Sequence, residues 1–62
     1  MPLLDIKILE GRTLEQKKEL VEKVTEAVVE TIGAKPENVS IFIEEMPKSH
    51  FAKAGVLASE WE

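Results

Sequence analysis

The sequence predicts an α+β fold: one βαβ subunit whose two parallel strands are joined by a right-handed helical crossover. Three observations predict it. Residues 3–9 alternate apolar and polar with period two. Residues 14–32 repeat apolar positions every three or four residues, and residues 39–45 alternate again. A long helix between two strands supplies the crossover that parallel pairing needs, and such crossovers are right-handed.

The first strand is LLDIKIL. Leu4, Ile6 and Ile8 share one face, with Asp5 and Lys7 on the other. Leu3 and Leu9 make the ends of that second face apolar, so it too is expected to be partly covered. Pro2 stands before the strand. Having no N–H for a ladder, proline suits only a strand's first residue or an edge. Glu10-Gly11-Arg12 reads as a turn.

Thr13-Leu14-Glu15-Gln16 fits a capping box, in which the threonine hydroxyl and the glutamine side chain each satisfy an early N–H. The helix behind it aligns Leu20, Val21, Val24, Ala27, Val28 and Ile32. Lys17, Lys18, Glu22, Lys23 and Glu26 fall mainly on the opposite side. Gly33 suits the residue after the helix, and Pro36 prevents its continuation.

The second strand, residues 39–45, is VSIFIEE. Val39, Ile41 and Ile43 face one way; Ser40, Phe42 and Glu44 face the other. Residues 46–62 contain Pro47, Gly55 and scattered apolar positions, and read as a C-terminal arm lying on a neighbouring subunit.

A chain of 62 residues is a single domain, residues 1–62. A domain this small buries only about 60% of its unfolded surface and is marginal alone. Such chains lean on disulfides, metals or partner subunits. Cysteine is absent and His50 is the only histidine, which leaves partner subunits. With 44% hydrophobic residues, the chain is expected not to be a monomer. Open sheet edges are templates for pairing. A two-fold dimer would form a four-stranded sheet carrying two helices, its other face available to further dimers. The net charge of −4 with interspersed signs, and the lack of a basic tract, point away from nucleic acid. No apolar run approaches the roughly 18 residues of a membrane span. Asp5 and Lys7 interrupt the only N-terminal apolar stretch, so no secretory signal is read and a cytoplasmic location is expected.

Few residues carry candidate chemistry. Pro2 follows Met1, and methionine before proline is usually trimmed. Trimming exposes a secondary amine. Apolar surroundings and a nearby cation both disfavour its charged form, which suits it to act as a base near neutral pH. Leu3, Leu9 and Phe51 could supply apolar walls. Arg12, at the turn, reads either as a solvated charge or as a fork for a carboxylate, with helix N–H groups close by. Lys48 and Lys53 read as solvated residues or as flanks of an anionic ligand. His50 reads as a surface or interface residue, Trp61 as packing at the chain end, and Phe42 and Phe51 as core or interface.

Taken together, Pro2, the stretch ILEGRTLEQKKELVEKVTEAV and the stretch IFIEEMPKSHFAKAG resemble the 4-oxalocrotonate (2-hydroxymuconate) tautomerase family of the tautomerase superfamily. The resemblance spans nearly the whole chain. It implies βαβ subunits assembled as a homohexamer, a trimer of dimers, acting in aromatic degradation without cofactor or metal. It implies proton transfer between the enol and keto forms of small 2-hydroxydienoate acids. Pro2 matches the amino-terminal proline that serves as base and then acid. Arg12 matches the arginine that binds a substrate carboxylate from a neighbouring subunit. Phe51 and Leu9 match apolar wall positions.

Ser40 departs from the pattern, because well-studied members carry a second arginine there. Losing such a charge-assisted contact weakens transition-state stabilisation by roughly 2–4 kcal/mol. The resemblance therefore also implies a weaker tautomerase, or one preferring another enol. Two rival readings follow: a low-activity or accessory subunit of a mixed oligomer, whose sister chain supplies the cation, and a plain βαβ assembly module.

Overall fold

The computed structural model describes residues 1–61. Strand β1 (Leu3–Leu9) leads through a turn into helix α1 (Leu14–Ile32). A 3-10 turn at Pro36–Asn38 precedes strand β2 (Ser40–Met46). β2 lies parallel to β1, with Leu3 opposite Ser40 and Leu9 opposite Met46. The ladder is extended at both ends: the Ser40 N–H donates to the Pro2 carbonyl (3.0 Å) and the Glu10 N–H to the Met46 carbonyl (2.9 Å). β2 begins one residue later than the sequence alternation predicts. The Val39 N–H is already committed to the Pro36 carbonyl at 3.1 Å, so Val39 closes the 3-10 turn instead.

Local chemistry sets the limits of α1. The Gln16 N–H donates to the Thr13 hydroxyl (3.1 Å), and the Thr13 N–H donates to the Gln16 side-chain oxygen (2.9 Å). Two of the first-turn donors are thus satisfied reciprocally. At the other end Gly33 takes a left-handed conformation, φ 72°, and its N–H donates to the Val29 carbonyl (3.1 Å). An L side chain would be strained there.

The strand alternation decides which face meets the helix. Leu4, Ile6 and Ile8 are half-buried while Leu3, Asp5 and Lys7 are exposed. Their register partners Ile41, Ile43 and Glu45 share that inner face. Glu45 is the acid on it, and Lys17 of α1 reaches across to bind its carboxylate at 2.6 Å. Lys17 therefore turns toward the sheet rather than joining the solvent side of the helix. Both partners are partly shielded, which makes this pair stronger than an exposed one.

The outer face carries Leu3, Asp5, Lys7, Leu9, Ser40, Phe42, Glu44 and Met46, and among the described residues no other element covers Leu3 or Phe42. Leu3 is 72% exposed and Phe42 57%. Among the described residues only Ala58 is buried. The radius of gyration is 14.6 Å, against roughly 10.6 Å for a compact chain of this length. One chain thus has a helix-covered face and an open one, and no closed core.

On the open face Lys7 contacts Asp5 (3.0 Å) and Glu44, its cross-strand partner (3.3 Å). Hydrogen bonding to Asp5, then to Glu44, raises the Lys7 pKa above the ordinary lysine value. A raised folded pKa stabilises the fold below the unfolded lysine pKa, and that contribution fades as pH rises through the folded value.

Two outcomes test this account. Thr13→Ala should cost about 1 kcal/mol, read as a lower urea midpoint at unchanged m value. Lys7→Met should flatten the alkaline limb of the stability–pH curve.

Candidate functional site

Pro2 is half-buried just before β1, and its carbonyl is held by Ser40. Its missing N–H costs nothing there, because the ladder begins at Leu3. Its nitrogen carries Met1, whose side chain is 92% exposed. Ser40 sits beside it as the first residue of β2.

Leu9 ends β1 opposite Met46, and the chain then turns through Glu10-Gly11-Arg12. Gly11 has φ 119°, a conformation that L side chains rarely adopt. Arg12 directly precedes the Thr13 cap, so the rigid start of α1 fixes its backbone. It is exposed and makes no ion pair with a described residue. Two hollows meet at Ile8 and Arg12. One, about 230 Å³, is completed by Gln16, Lys17 and Leu20. The other, about 460 Å³, is completed by Leu9, Glu10, Gly11 and Lys48.

Pro2 and Arg12 lie at opposite ends of β1. Its seven residues, at about 3.3 Å each, span about 23 Å. No small acid bridges that distance, so one chain does not bring these two residues together. It does bring together Arg12 and Leu9.

Phe51 follows a 3-10 turn, Lys48–His50, that starts from the Arg12 end of the sheet. Its ring stands edge-to-face with Trp61, 5.8 Å between centroids at 80°. Its carbonyl accepts the Ala58 N–H at 2.7 Å. Between them lies a hairpin, β3 (Ala52–Lys53) and β4 (Val56–Leu57), followed by a 3-10 turn at Ala58–Glu60. The Trp61 indole N–H donates to the Val56 carbonyl (3.2 Å), and the Lys53 ammonium lies 5.6 Å from the Trp61 ring centre. Within the chain, the segment read from sequence as an arm folds into a hairpin clasp; Glu62 lies outside the described residues. Ala54 and Gly55 both have positive φ, 51° and 80°, the two-residue hairpin geometry. Alanine at the first of these positions, where asparagine or aspartate is usual, hides the turn in the sequence. Trp61 packs at the chain end as its sequence reading expects, and the structure names Phe51 as its partner. His50 is exposed on the 3-10 turn, and no cluster of metal-ligating side chains forms among the described residues.

A family model described as tautomerase enzyme matches residues 2–60. The chain belongs to the tautomerase family. Curated relatives agree over the full length. A 2-hydroxymuconate tautomerase of Bacillus subtilis (strain 168) is 60% identical over 62 residues, covering all of both chains. Among solved structures, the 4-oxalocrotonate tautomerase homologue YwhB superposes with a TM-score of 0.93 at 59% identity, covering 98% of this chain and all of that one. A heterohexameric 4-oxalocrotonate tautomerase from Chloroflexus aurantiacus J-10-fl superposes at 0.94 with 34% identity, covering all of both. The parallel βαβ fold of this tautomerase is the fold of those neighbours, and the chain is accordingly an enzyme, an isomerase by reaction class. No helix among the described residues is long and apolar enough to cross a membrane.

The Phe51–Trp61 contact yields a prediction. Trp61→Ala should lower stability by about 1 kcal/mol through loss of the edge-to-face pair, and Trp61→Phe should retain most of it. Thermal unfolding of the two variants side by side checks this.

Proposed function

We propose that this tautomerase moves a proton between the enol and keto forms of small 2-hydroxydienoate acids such as 2-hydroxymuconate, with the Pro2 nitrogen as base and then acid. The full-length match to a relative named for that reaction carries the reading. With Met1 attached, the Pro2 nitrogen is a tertiary amide and has no lone pair to offer. Removal of Met1 leaves a secondary amine on a ring anchored by the Ser40–Pro2 hydrogen bond.

The amine takes the enol hydroxyl proton. The O–H electron pair becomes the carbonyl π bond, and the diene electrons shift away from the oxygen. A carbon further along the conjugated system then takes the proton back from the prolinium. Atoms and electrons balance without an external reagent, so the reaction calls for no cofactor or metal. Arg12 holds a substrate carboxylate and draws electron density along the dienol. Leu9 and Phe51 are apolar walls that keep the amine neutral.

Since Pro2 and Arg12 stand at opposite ends of β1, the site takes them from different subunits. The open face with Leu3 and Phe42 supports assembly as well. The proposed arrangement is a dimer with a four-stranded sheet, three of which form a homohexamer, working in the cytoplasm in aromatic degradation.

Ser40 and the heterohexameric neighbour favour one second reading, a low-activity subunit that works best beside a sister chain. A purified chain that is sluggish alone and gains activity only when mixed with that sister would select it.

The test has two arms. On protein whose intact mass lacks methionine, Pro2→Ala should lower the rate on 2-hydroxymuconate at least about 100-fold. Equal rates would remove Pro2 as the base. Pro2→Ala chains and Arg12→Ala chains, each inactive, should regain activity when unfolded and refolded together. No regain would place both groups in one chain.

A further inference from the structure

The larger hollow beside Arg12 holds a second cation. Arg12 and Lys48 line it together with Ile8, Leu9, Glu10 and Gly11. Its volume of about 460 Å³ lies within the roughly 300–1,000 Å³ of small-molecule sites. The two cations are far apart in sequence, and the sheet joins them: Met46 pairs with Leu9, and the Glu10 N–H binds the Met46 carbonyl at 2.9 Å. Lys48 then starts a 3-10 turn pinned by the His50 N–H donating to the Pro47 carbonyl, 2.9 Å. Both backbones are thus fixed by hydrogen bonds.

Neither cation makes an ion pair with a described residue. Glu10 is the one acid lining the hollow, so the charges there sum to +1. Ile8 and Leu9 supply an apolar wall. A cation pair against an apolar wall suits a carbon chain that ends in a carboxylate. Arginine fixes such a group through its planar fork and lysine through a compact point charge.

We propose that Lys48 is a second substrate-binding cation, acting with Arg12 on the carboxylate remote from the reacting enol and so favouring dicarboxylates over monocarboxylates. Its link to catalysis rests on the tautomerase reading above; the anion site itself does not.

The direct probe is adipate, an inert six-carbon dicarboxylate, titrated calorimetrically into the assembled protein. The six-carbon alcohol 1-hexanol is the uncharged control. Lys48→Met should weaken adipate binding about tenfold, and Lys48→Arg should restore it. Glu10→Gln should tighten it, and 1-hexanol, which brings no carboxylate, should respond to none of these changes. In turnover, Lys48→Met should raise KM for 2-hydroxymuconate about tenfold with kcat within about twofold, and leave 2-hydroxy-2,4-pentadienoate unaffected. Circular dichroism and the Glu10→Gln variant guard against a folding effect. Failure of wild type to bind adipate, equal adipate affinity in wild type and Lys48→Met, or equal KM increases on both enols would overturn the proposal. Lys48-dependent adipate binding without turnover of either enol would uphold the anion site and overturn the tautomerase substrate reading instead.

Discussion

The rest of the structure depends on one constraint: a two-stranded sheet has two faces and this chain has one helix to cover them. α1 lies over Leu4, Ile6, Ile8, Ile41 and Ile43, and the outer face is left with Leu3 and Phe42 in the open. The surface of 4948 Å² exceeds the roughly 4,000 Å² expected of a compact protein of 7.0 kDa. The exposed Leu3 and Phe42 are part of that excess, and apolar area covered by association contributes about 25 cal/mol per Å². In the proposed assembly, folding and oligomerisation are therefore one process.

The same constraint shapes the chemistry. Parallel strands put Pro2 beside Ser40 and Arg12 beside the end of β2, so the strand acts as a spacer between the proposed base and the proposed clamp. That separation is enforced by backbone hydrogen bonds at both ends of the ladder. In the proposed assembly the site forms only when the interface does. The helix contributes by fixing the Arg12 turn through the Thr13–Gln16 capping box.

Much of the fold was legible because its signals are local. The alternation at Leu4, Ile6 and Ile8 and the helical spacing from Leu20 to Ile32 report burial directly. The capping box needs only Thr13 and Gln16 at the right separation. What was not legible depends on contacts distant in sequence. The inward turn of Lys17 answers Glu45, an acid on the inner face of β2, and helix periodicity alone puts a lysine outside. The clasp from Phe51 to Trp61 rests on a turn whose first residue, Ala54, carries no turn signal. Lys48 joins the Arg12 hollow only through the strand register. Pro2, Arg12, Leu9 and Phe51 were candidates from their own chemistry, the resemblance gave each a role, and the structure adds which of them one chain can bring together.

The central claim is that this chain completes neither its core nor its site alone. Equilibrium urea unfolding over a hundredfold range of chain concentration, with sedimentation equilibrium on the same samples, tests it most directly. The account predicts an oligomer whose unfolding midpoint rises with concentration and whose activity disappears with the oligomer. A folded monomer with a concentration-independent midpoint and full tautomerase activity would contradict it.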